Sequence, residues 1–411
     1  MRLIDSVKKY DNVSLIETSK FKNITLSFRY GLKYSPKLKA SLLVLSNMLF
    51  ETSVNYNTKV KMATRKDLLY GFNAQSMVNC YGNVLVFNAS FDFVNPRFLK
   101  DVTVDDYIAF IDELLLNPLL DNEKLNESKK NTSAALKRRL DNPSSLASDN
   151  FYEEISKDDS KFNIYRNGNL IEIIENIELK DIEEAYRLLS DSRLDIYLIG
   201  DIDEKLLSYL NKFKSNNNIS MNDSSAVYNP KEEITFKKKV SQSTLIYSYS
   251  TPFNRSHEDY IAFNLGNIVF GGIPTSLLFS NVREKHSLCY SIAAISLKND
   301  GIVMVKTLID RNNKEKAVKD IEEQFNCMIN GDYDESVLIS AKQMLMNNLM
   351  SIDDDIDYLL DHLYINDLRN CHESLDEYID KMLKVTKEDI SRVFRQYVPY
   401  LTYFLEGNLD D

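Results

Sequence analysis

Two stretches of this chain close in the same way. "RLDIYLIGD" begins at residue 193 and "YLTYFLEGN" at residue 400, half a chain apart, and each is an apolar strand pattern that ends at a glycine. The elements before them recur in the same order. In the first half "KNITLSFRYGL" (22–32) reads as a strand, helical patterns follow around 36–50 and 62–71, and "SMVNCYGNVLVFNASFDF" reads as a hairpin turning at Tyr81-Gly82-Asn83. Gly and Asn suit such a turn because both tolerate a left-handed backbone. In the second half "ITFKKKVSQSTLIYSYS" is a strand pair or one long strand, and "HEDYIAFNLGNIVF" and "SLLFSNVREK" are helices. A hairpin follows in "CYSIAAISLKNDGIVMVKTLI", turning at Asn299-Asp300-Gly301. Hairpins in place of strict βαβ alternation imply antiparallel pairing. The pattern predicts an α+β protein of two duplicated domains, each a mostly antiparallel sheet packed with helices. Between the halves lies "KSNNNISMNDSSAVYNPKEE", polar and rich in Asn and Ser, so the expected domains are 1–213 and 234–411, with a linker at 214–233.

Size and composition agree. At 411 residues the chain exceeds one ordinary core and suits two domains of about 200 residues each. Its 44% hydrophobic and 27% charged content is that of a globular protein, and no apolar run approaches the roughly 18 to 20 residues a membrane span needs. Charge interrupts every apolar group of "MRLIDSVKKYDNVSLIETSKFK", so no export signal is read there and a cytoplasmic location is expected. Cys80, Cys289, Cys327 and Cys371 form no CxxC pair and read as reduced thiols. A net charge of −11 without a basic stripe argues against a nucleic-acid partner. None of the eleven glycines falls in a GxGxxG or GxxxxGK[ST] phosphate cradle.

Histidine is the scarce reagent: His257, His286, His362 and His372 are the only four, and residues 1–256 contain none. A hydrolytic zinc site needs two or three imidazoles, commonly a pair at i and i+4 on one helical face. The first half cannot build one. His257-Glu258 lacks the second His of HExxH, and a helix break is expected between His362 and His372. Cys289 follows closely on His286, which suggests a thiol–imidazole nucleophile. The simpler reading is a thiol at a strand start beside a histidine at a helix end, where an imidazolium suits the macrodipole. In "SIDDDIDYLLDHL" (351–363), Ser351, Asp353, Asp354 and Asp355 read more simply as a helix N-terminus than as a cation site. No GxSxG elbow exists, and Ser6-Val7-Lys8-Lys9 meets SxxK only by chance.

One block joins several of these elements. "FGGIPTSLLFSNVREKHSLCYSIAA" (270–294) resembles the C-terminal-domain signature of the pitrilysin, insulinase and mitochondrial-processing-peptidase superfamily. There a Gly-Gly turn, an SxLF helix, Val-Arg-Glu-Lys and Leu-x-Tyr-Ser follow in this order. With the duplicated halves the resemblance covers nearly the whole chain, and it implies that the two domains form half of a clamshell. Catalytic members carry H-x-x-E-H on the first helix: two zinc-binding histidines and a glutamate that acts as base on the metal-bound water. Laid on that motif, "LVLSNMLF" puts Leu43 at the first His, Ser46 at the Glu and Asn47 at the second His. None of the three can do the work of the residue it replaces. A third, glutamate ligand is expected in the helix at about 122–140, where Glu123 and Glu127 are the nearest acids. A single carboxylate would not hold zinc. The resemblance therefore implies no catalytic residue, no metal and no cofactor in this chain, with zinc in a partner only.

The superfamily's R-x6-Y pair, which holds substrate backbone near the metal, stands intact as Arg283 and Tyr290. The plainer alternative is a surface ion-pair arginine and a half-buried strand tyrosine. More narrowly, "LIETSKFKNITLSFRY", "RKDLLYGFNAQ", "FDFVNPRFL" and "LDIYLIGDID" resemble the non-catalytic YmfF/YfmF-type proteins of low-GC Gram-positive bacteria. The resemblance implies a silent subunit that pairs with an active H-x-x-E-H homologue and helps hold a peptide or unfolded polypeptide. The setting it implies is modification of elongation factor P, or maturation of ribosomally made peptides. The alternative is a stand-alone, peptide-binding or chaperone-like homodimer without proteolysis.

Overall fold

Alternating strand patterns become two sheets. The computed structural model describes residues 2–371 and 373–407. Strands β1 (Lys8–Tyr10), β2 (Val13–Glu17), β3 (Asn23–Lys33), β4 (Asn73–Tyr81), β5 (Val84–Val94) and β6 (Arg193–Gly200) form the first sheet. Strands β7 (Ile234–Lys238), β8 (Ser243–Ser250), β9 (Cys289–Leu297), β10 (Ile302–Ile309) and β11 (Val398–Gly407) form the second. Their orders are β1-β2-β6-β3-β5-β4 and β7-β11-β8-β10-β9, which correspond strand for strand once β1 is set aside. In each sheet the closing strand runs antiparallel to the long central strand and parallel to the short one. All other pairs are antiparallel. The duplicated α+β architecture read from the repeat holds. The "ITFKKKVSQSTLIYSYS" segment is two strands, and the first pairs with β11 rather than with its neighbour β8. Both hairpins turn at a left-handed glycine, Gly82 with φ +54° and Gly301 with φ +71°, a conformation that costs glycine little.

Packing explains why the central strands are buried on both faces. Ile24, Leu26, Phe28, Tyr30 and Leu32 of β3 enter one core with Phe87 and Phe91 of β5, each such side chain contributing about 1.5 to 3 kcal/mol of burial. Thr25, Ser27 and Arg29, on the opposite face, are buried as well. Their cover is the helix Ile356–Arg369: Asp361 accepts a 2.7 Å hydrogen bond from Arg29 Nη1, and the Arg29 guanidinium stacks 5.0 Å from the Tyr364 ring centre. In the second sheet the helix Pro143–Ser156 does the same for β8 and β11, with Asn150 donating to the Tyr403 hydroxyl at 2.8 Å and Lys306 to Ser148 Oγ at 3.1 Å.

The two compact units are consequently interleaved along the chain. One comprises Met1–Arg138, Lys161–Met221 and Ile352–Cys371; the other comprises Arg139–Ser160, Asn222–Ser351 and His372–Asp411. The boundaries 1–213, 214–233 and 234–411 follow the sequence repeat, whereas the compact units follow the packing. Residues 214–233 form neither helix nor strand. Backbone bonds pin them instead, from Met221 N–H to Leu368 O in the first unit (3.0 Å) and from Lys231 N–H to Tyr400 O in the second (2.7 Å). Among the described residues no helix is long and apolar enough to cross a membrane.

Candidate functional site

The helix Pro36–Met48 carries Leu43, Ser46 and Asn47, the residues laid on H-x-x-E-H in the sequence. Ser35 caps it by accepting from Leu38 N–H at 3.2 Å, and Pro36 suits the first turn, where no donor is needed. Ala40, Leu42, Val44, Leu45 and Met48 face the core, while Leu43 and Ser46 are half-buried and Asn47 is exposed. Their polar groups are occupied locally. Ser46 Oγ donates to Leu43 O at 2.8 Å, and Asn47 Nδ2 donates to Leu43 O at 3.1 Å and to Thr132 Oγ1 at 3.0 Å. Ser128 Oγ donates to Val44 O at 2.6 Å.

On the helix Asn122–Asp141, the side chains that meet the first helix are therefore Ser128 and Thr132. Glu123 and Glu127 are exposed. Glu127 is bound by Lys59 at 2.7 Å, which also binds Glu51 at 2.6 Å. A cavity of about 390 Å³ beside Ser46 and Asn47 is lined in part by Lys59, Lys66, Gln75 and Ser76. Lys66 donates to Phe50 O at 2.9 Å, and burial lowers its pKa. Of the described residues, Glu51 is the one carboxylate lining this cavity, and it is paired with Lys59; a single carboxylate beside hydroxyls, amides and two lysines does not fit Zn²⁺, which takes several thiolate, imidazole or carboxylate donors. Among the described residues no three His, Cys, Asp or Glu side chains gather to hold a metal.

The second unit is arranged differently. After the helix Tyr260–Gly271, residues Leu278–Lys285 wind as a π-helix, a geometry frequent at functional sites. Buried Leu278 and Val282 anchor it, and Asn281 Nδ2 donates to Gln324 Oε1 at 2.6 Å. The chain then turns through Ser287, a non-glycine residue at φ +52°, and enters β9. This turn brings Arg283 onto Tyr290: Arg283 Nε donates to the Tyr290 carbonyl at 3.0 Å, and the guanidinium lies 4.3 Å from the Phe279 ring centre. Neither the terminal nitrogens of Arg283 nor the Tyr290 hydroxyl makes a hydrogen bond or ion pair with another described residue. Tyr290 is 62% exposed on the edge strand of its sheet.

Other candidates are placed apart or occupied. The His286 ring pairs with Asp320, while Cys289 lies against Thr307, and burial pushes its thiol up. No hydrogen bond joins His286 to Cys289, so a thiol–imidazole nucleophile is not assembled. Burial likewise raises Cys80 and Cys327, and Cys371 is a free thiol. His257 Nδ1 accepts from Asp259 N–H at 3.0 Å, His362 is half-buried in the helix Ile356–Arg369, and His372 lies outside the described residues. In the acidic run, Asp355 caps that helix by accepting from Tyr358 N–H at 3.0 Å, and Asp353 accepts from Leu3 N–H at 2.7 Å. Asp354 pairs with Lys20, and Lys9, the lysine of the SxxK match, with Asp367, which leaves no Ser–Lys pair at Ser6. Sequence reading missed Lys59, Lys66, Ser128 and Thr132, because their proximity to the first helix is set by packing and not by spacing.

The fold and site together define a duplicated α+β protein whose first helix offers no metal ligands among the described residues. Residues 176–345 match the family described as Peptidase M16 inactive domain. The chain is 26% identical over 407 residues to the probable inactive metalloprotease YmfF of Bacillus subtilis (strain 168), covering 96% of this chain and 95% of that one. It superposes on the crystal structure of a conserved protein from Enterococcus faecalis V583 with a TM-score of 0.88, at 25% identity and 98% coverage of both chains. A peptidase M16 inactive domain from Pseudomonas fluorescens shares the fold, with a TM-score of 0.78, 16% identity and 98% coverage of both chains. The chain is thus similar to M16 peptidase-like proteins described as inactive, in keeping with the resemblance carried by residues 270–294.

Proposed function

We propose that this inactive homologue is the silent subunit of a two-chain peptidase. It pairs with an active H-x-x-E-H homologue, helps bind and position the peptide, and lends Arg283 and Tyr290 to it. The observation that carries this reading is the Arg283–Tyr290 contact, in which one bond and one ring stack fix the arginine while its terminal donors stay uncommitted. Those donors suit peptide carbonyls, and the exposed Tyr290 phenol suits the oxygen on which charge develops as the scissile bond is attacked. The metal and the base then come from the partner, because Leu43, Ser46 and Asn47 supply neither. Elongation factor P modification and the maturation of ribosomally made peptides are the two settings in which such a subunit serves.

The test is recovery of the tagged chain from native extract, with its companions sequenced. A stoichiometric partner of similar length that carries H-x-x-E-H is the expected result. Recovery of the chain alone, or only with itself, would overturn the shared-site reading in favour of a homodimer that holds peptides without cleaving them.

A further inference from the structure

The first unit holds a cavity of about 270 Å³ between its sheet, two helices and the segment 212–216. Its floor is apolar and buried: Phe87 and Ala89 of β5, Leu114 of the helix Val104–Leu116, Leu189 of the helix Leu179–Ser190, and Leu194 of β6. Its mouth is exposed and polar, with Ser190, Lys212, Lys214 and Asn216 around it. A run of rings joins mouth to floor. Lys212 Nζ lies 5.0 Å from the Phe213 ring centre, Phe213 packs edge-on against Phe28 at 5.1 Å, Phe28 stacks with Tyr30 at 6.5 Å, and Tyr30 lies 6.3 Å from Phe87.

One polar group in this wall has no partner. Tyr30 lines the cavity, is only 8% exposed, and its hydroxyl makes no hydrogen bond with a described residue. Burial raises its pKa, so it stays a neutral hydroxyl that can donate or accept. A buried hydroxyl left unbonded is costly, and a ligand group that bonds to it removes that cost. Its neighbours in the wall are committed: Tyr186 donates to Leu115 O, and Asn216 Nδ2 donates to Ser190 O at 2.8 Å. At the mouth Lys212 pairs with Asp112, and Lys214 with Asp11 at 3.2 Å, so the charges there balance. Neither acid lines the cavity, however, and both pairs reach solvent, where ion pairs hold weakly. Each ammonium has three N–H donors and gives one to its aspartate, which leaves donors for an acceptor in the mouth.

We propose that this cavity binds a small aromatic carboxylic acid with a hydroxyl at the far end of its ring. The ring packs among Phe87, Phe213 and the leucines, where aromatic groups meet edge to face or offset. Its hydroxyl bonds to Tyr30, and its carboxylate takes the spare lysine donors at the mouth. An apolar chamber with a few polar groups that fix orientation is the usual build of a small-molecule site, and the volume falls just below the roughly 300 Å³ at which pockets for drug-sized ligands begin. That size suits one ring and a short side chain. Because the charges at the mouth balance, the apolar body supplies most of the affinity, and the lysines decide which end of the ligand faces out. The site lies in the first unit and needs no partner subunit, so it stands or falls apart from the Arg283–Tyr290 reading.

Saturation-transfer NMR on the full chain, titrated to give dissociation constants, tests it. The ligands are para-hydroxyphenylpropionate, phenylpropionate, para-hydroxyphenylpropionamide and octanoate. The hydroxylated acid is expected to bind, phenylpropionate about tenfold more weakly for want of the hydroxyl, and octanoate about tenfold more weakly for want of ring and hydroxyl. The amide is expected to bind about threefold more weakly, a small loss because the lysines are already paired. Tyr30→Phe is expected to erase the preference for the ring hydroxyl while the melting temperature holds or rises, since that hydroxyl has no bond within the chain to lose. Replacing Lys212 and Lys214 together by Gln is expected to erase the preference for acid over amide. Should Tyr30→Phe fail to fold, Ser190→Trp, a change at an exposed residue that narrows the mouth, is expected to weaken the hydroxylated acid about tenfold. No binding of the hydroxylated acid, equal binding of the two aromatic acids, a hydroxyl preference that survives Tyr30→Phe, or indifference to Ser190→Trp would each overturn the site. Octanoate as tight as the hydroxylated acid would overturn the aromatic ligand, and the amide as tight as the acid would overturn the carboxylate.

Discussion

The two units share a strand order but treat the polar side chains at their candidate positions differently. In the first, Ser46, Asn47, Ser128 and Thr132 bond to one another or to helix carbonyls, Lys59 is held between Glu51 and Glu127, and buried Arg29 meets Asp361. In the second, Arg283 keeps uncommitted donors, Tyr290 stands exposed, and Arg255 and Lys298 have no partner among the described residues. Satisfied polar groups stabilise a fold, whereas uncommitted ones cost stability and persist where binding uses them. Around Leu43, Ser46 and Asn47 the first unit has ordinary packing, whereas Arg283 and Tyr290 of the second keep groups uncommitted.

Substitutions can break this contrast. The largest effect on stability is expected at Arg29. Arg29→Met removes the hydrogen bond to Asp361 and the stack on Tyr364, and is expected to cost about 2 kcal/mol in urea unfolding, reduced from a fully buried pair because Asp361 is half exposed. A cost near zero would mean that the first unit does not depend on its polar interior. Lys298→Met is expected to act in the other direction and stabilise by about 1 kcal/mol at pH 7, since it removes an unpaired, half-buried cation. The folded pKa of Lys298, about 8, lies below the ordinary 10.5, so between those values the unfolded chain binds more protons. Stability therefore rises with pH across that window, and the gain from Lys298→Met shrinks. Parallel pH–stability curves for the two proteins would contradict this. Smallest is Tyr290→Phe, expected to move stability by less than about 0.5 kcal/mol because the hydroxyl makes no bond within the chain. A larger loss would mark Tyr290 as a structural residue.

Much of the fold is legible in the sequence because strand alternation and turn residues are local signals. The spacing of Ile24, Leu26, Phe28, Tyr30 and Leu32 identifies the apolar face of β3, and Gly82 and Gly301 fix both hairpin turns. Local signals cannot say what covers the other face. Ser27 and Arg29 alternate as solvent-facing residues would, yet a helix more than three hundred residues later buries them, and only the fold reveals that exchange. The same limit applies to β7, which reads as the leading arm of β8 but pairs with β11 at the sheet edge. For the site, Leu43, Ser46 and Asn47 follow from one aligned motif and Arg283 and Tyr290 from another. Ser128 and Thr132 carry no spacing signal, because single residues on separate segments meet only after folding.

The most direct measurement is the rate of peptide cleavage by the active homologue, alone, with this chain, and with its Arg283→Ala variant, under conditions where both complexes form to the same extent. The shared-site reading predicts that the homologue alone is slow, that this chain restores turnover, and that Arg283→Ala lowers kcat/KM by about a hundredfold with assembly unchanged. Full activity without this chain, or with the Arg283→Ala variant in its place, would contradict it.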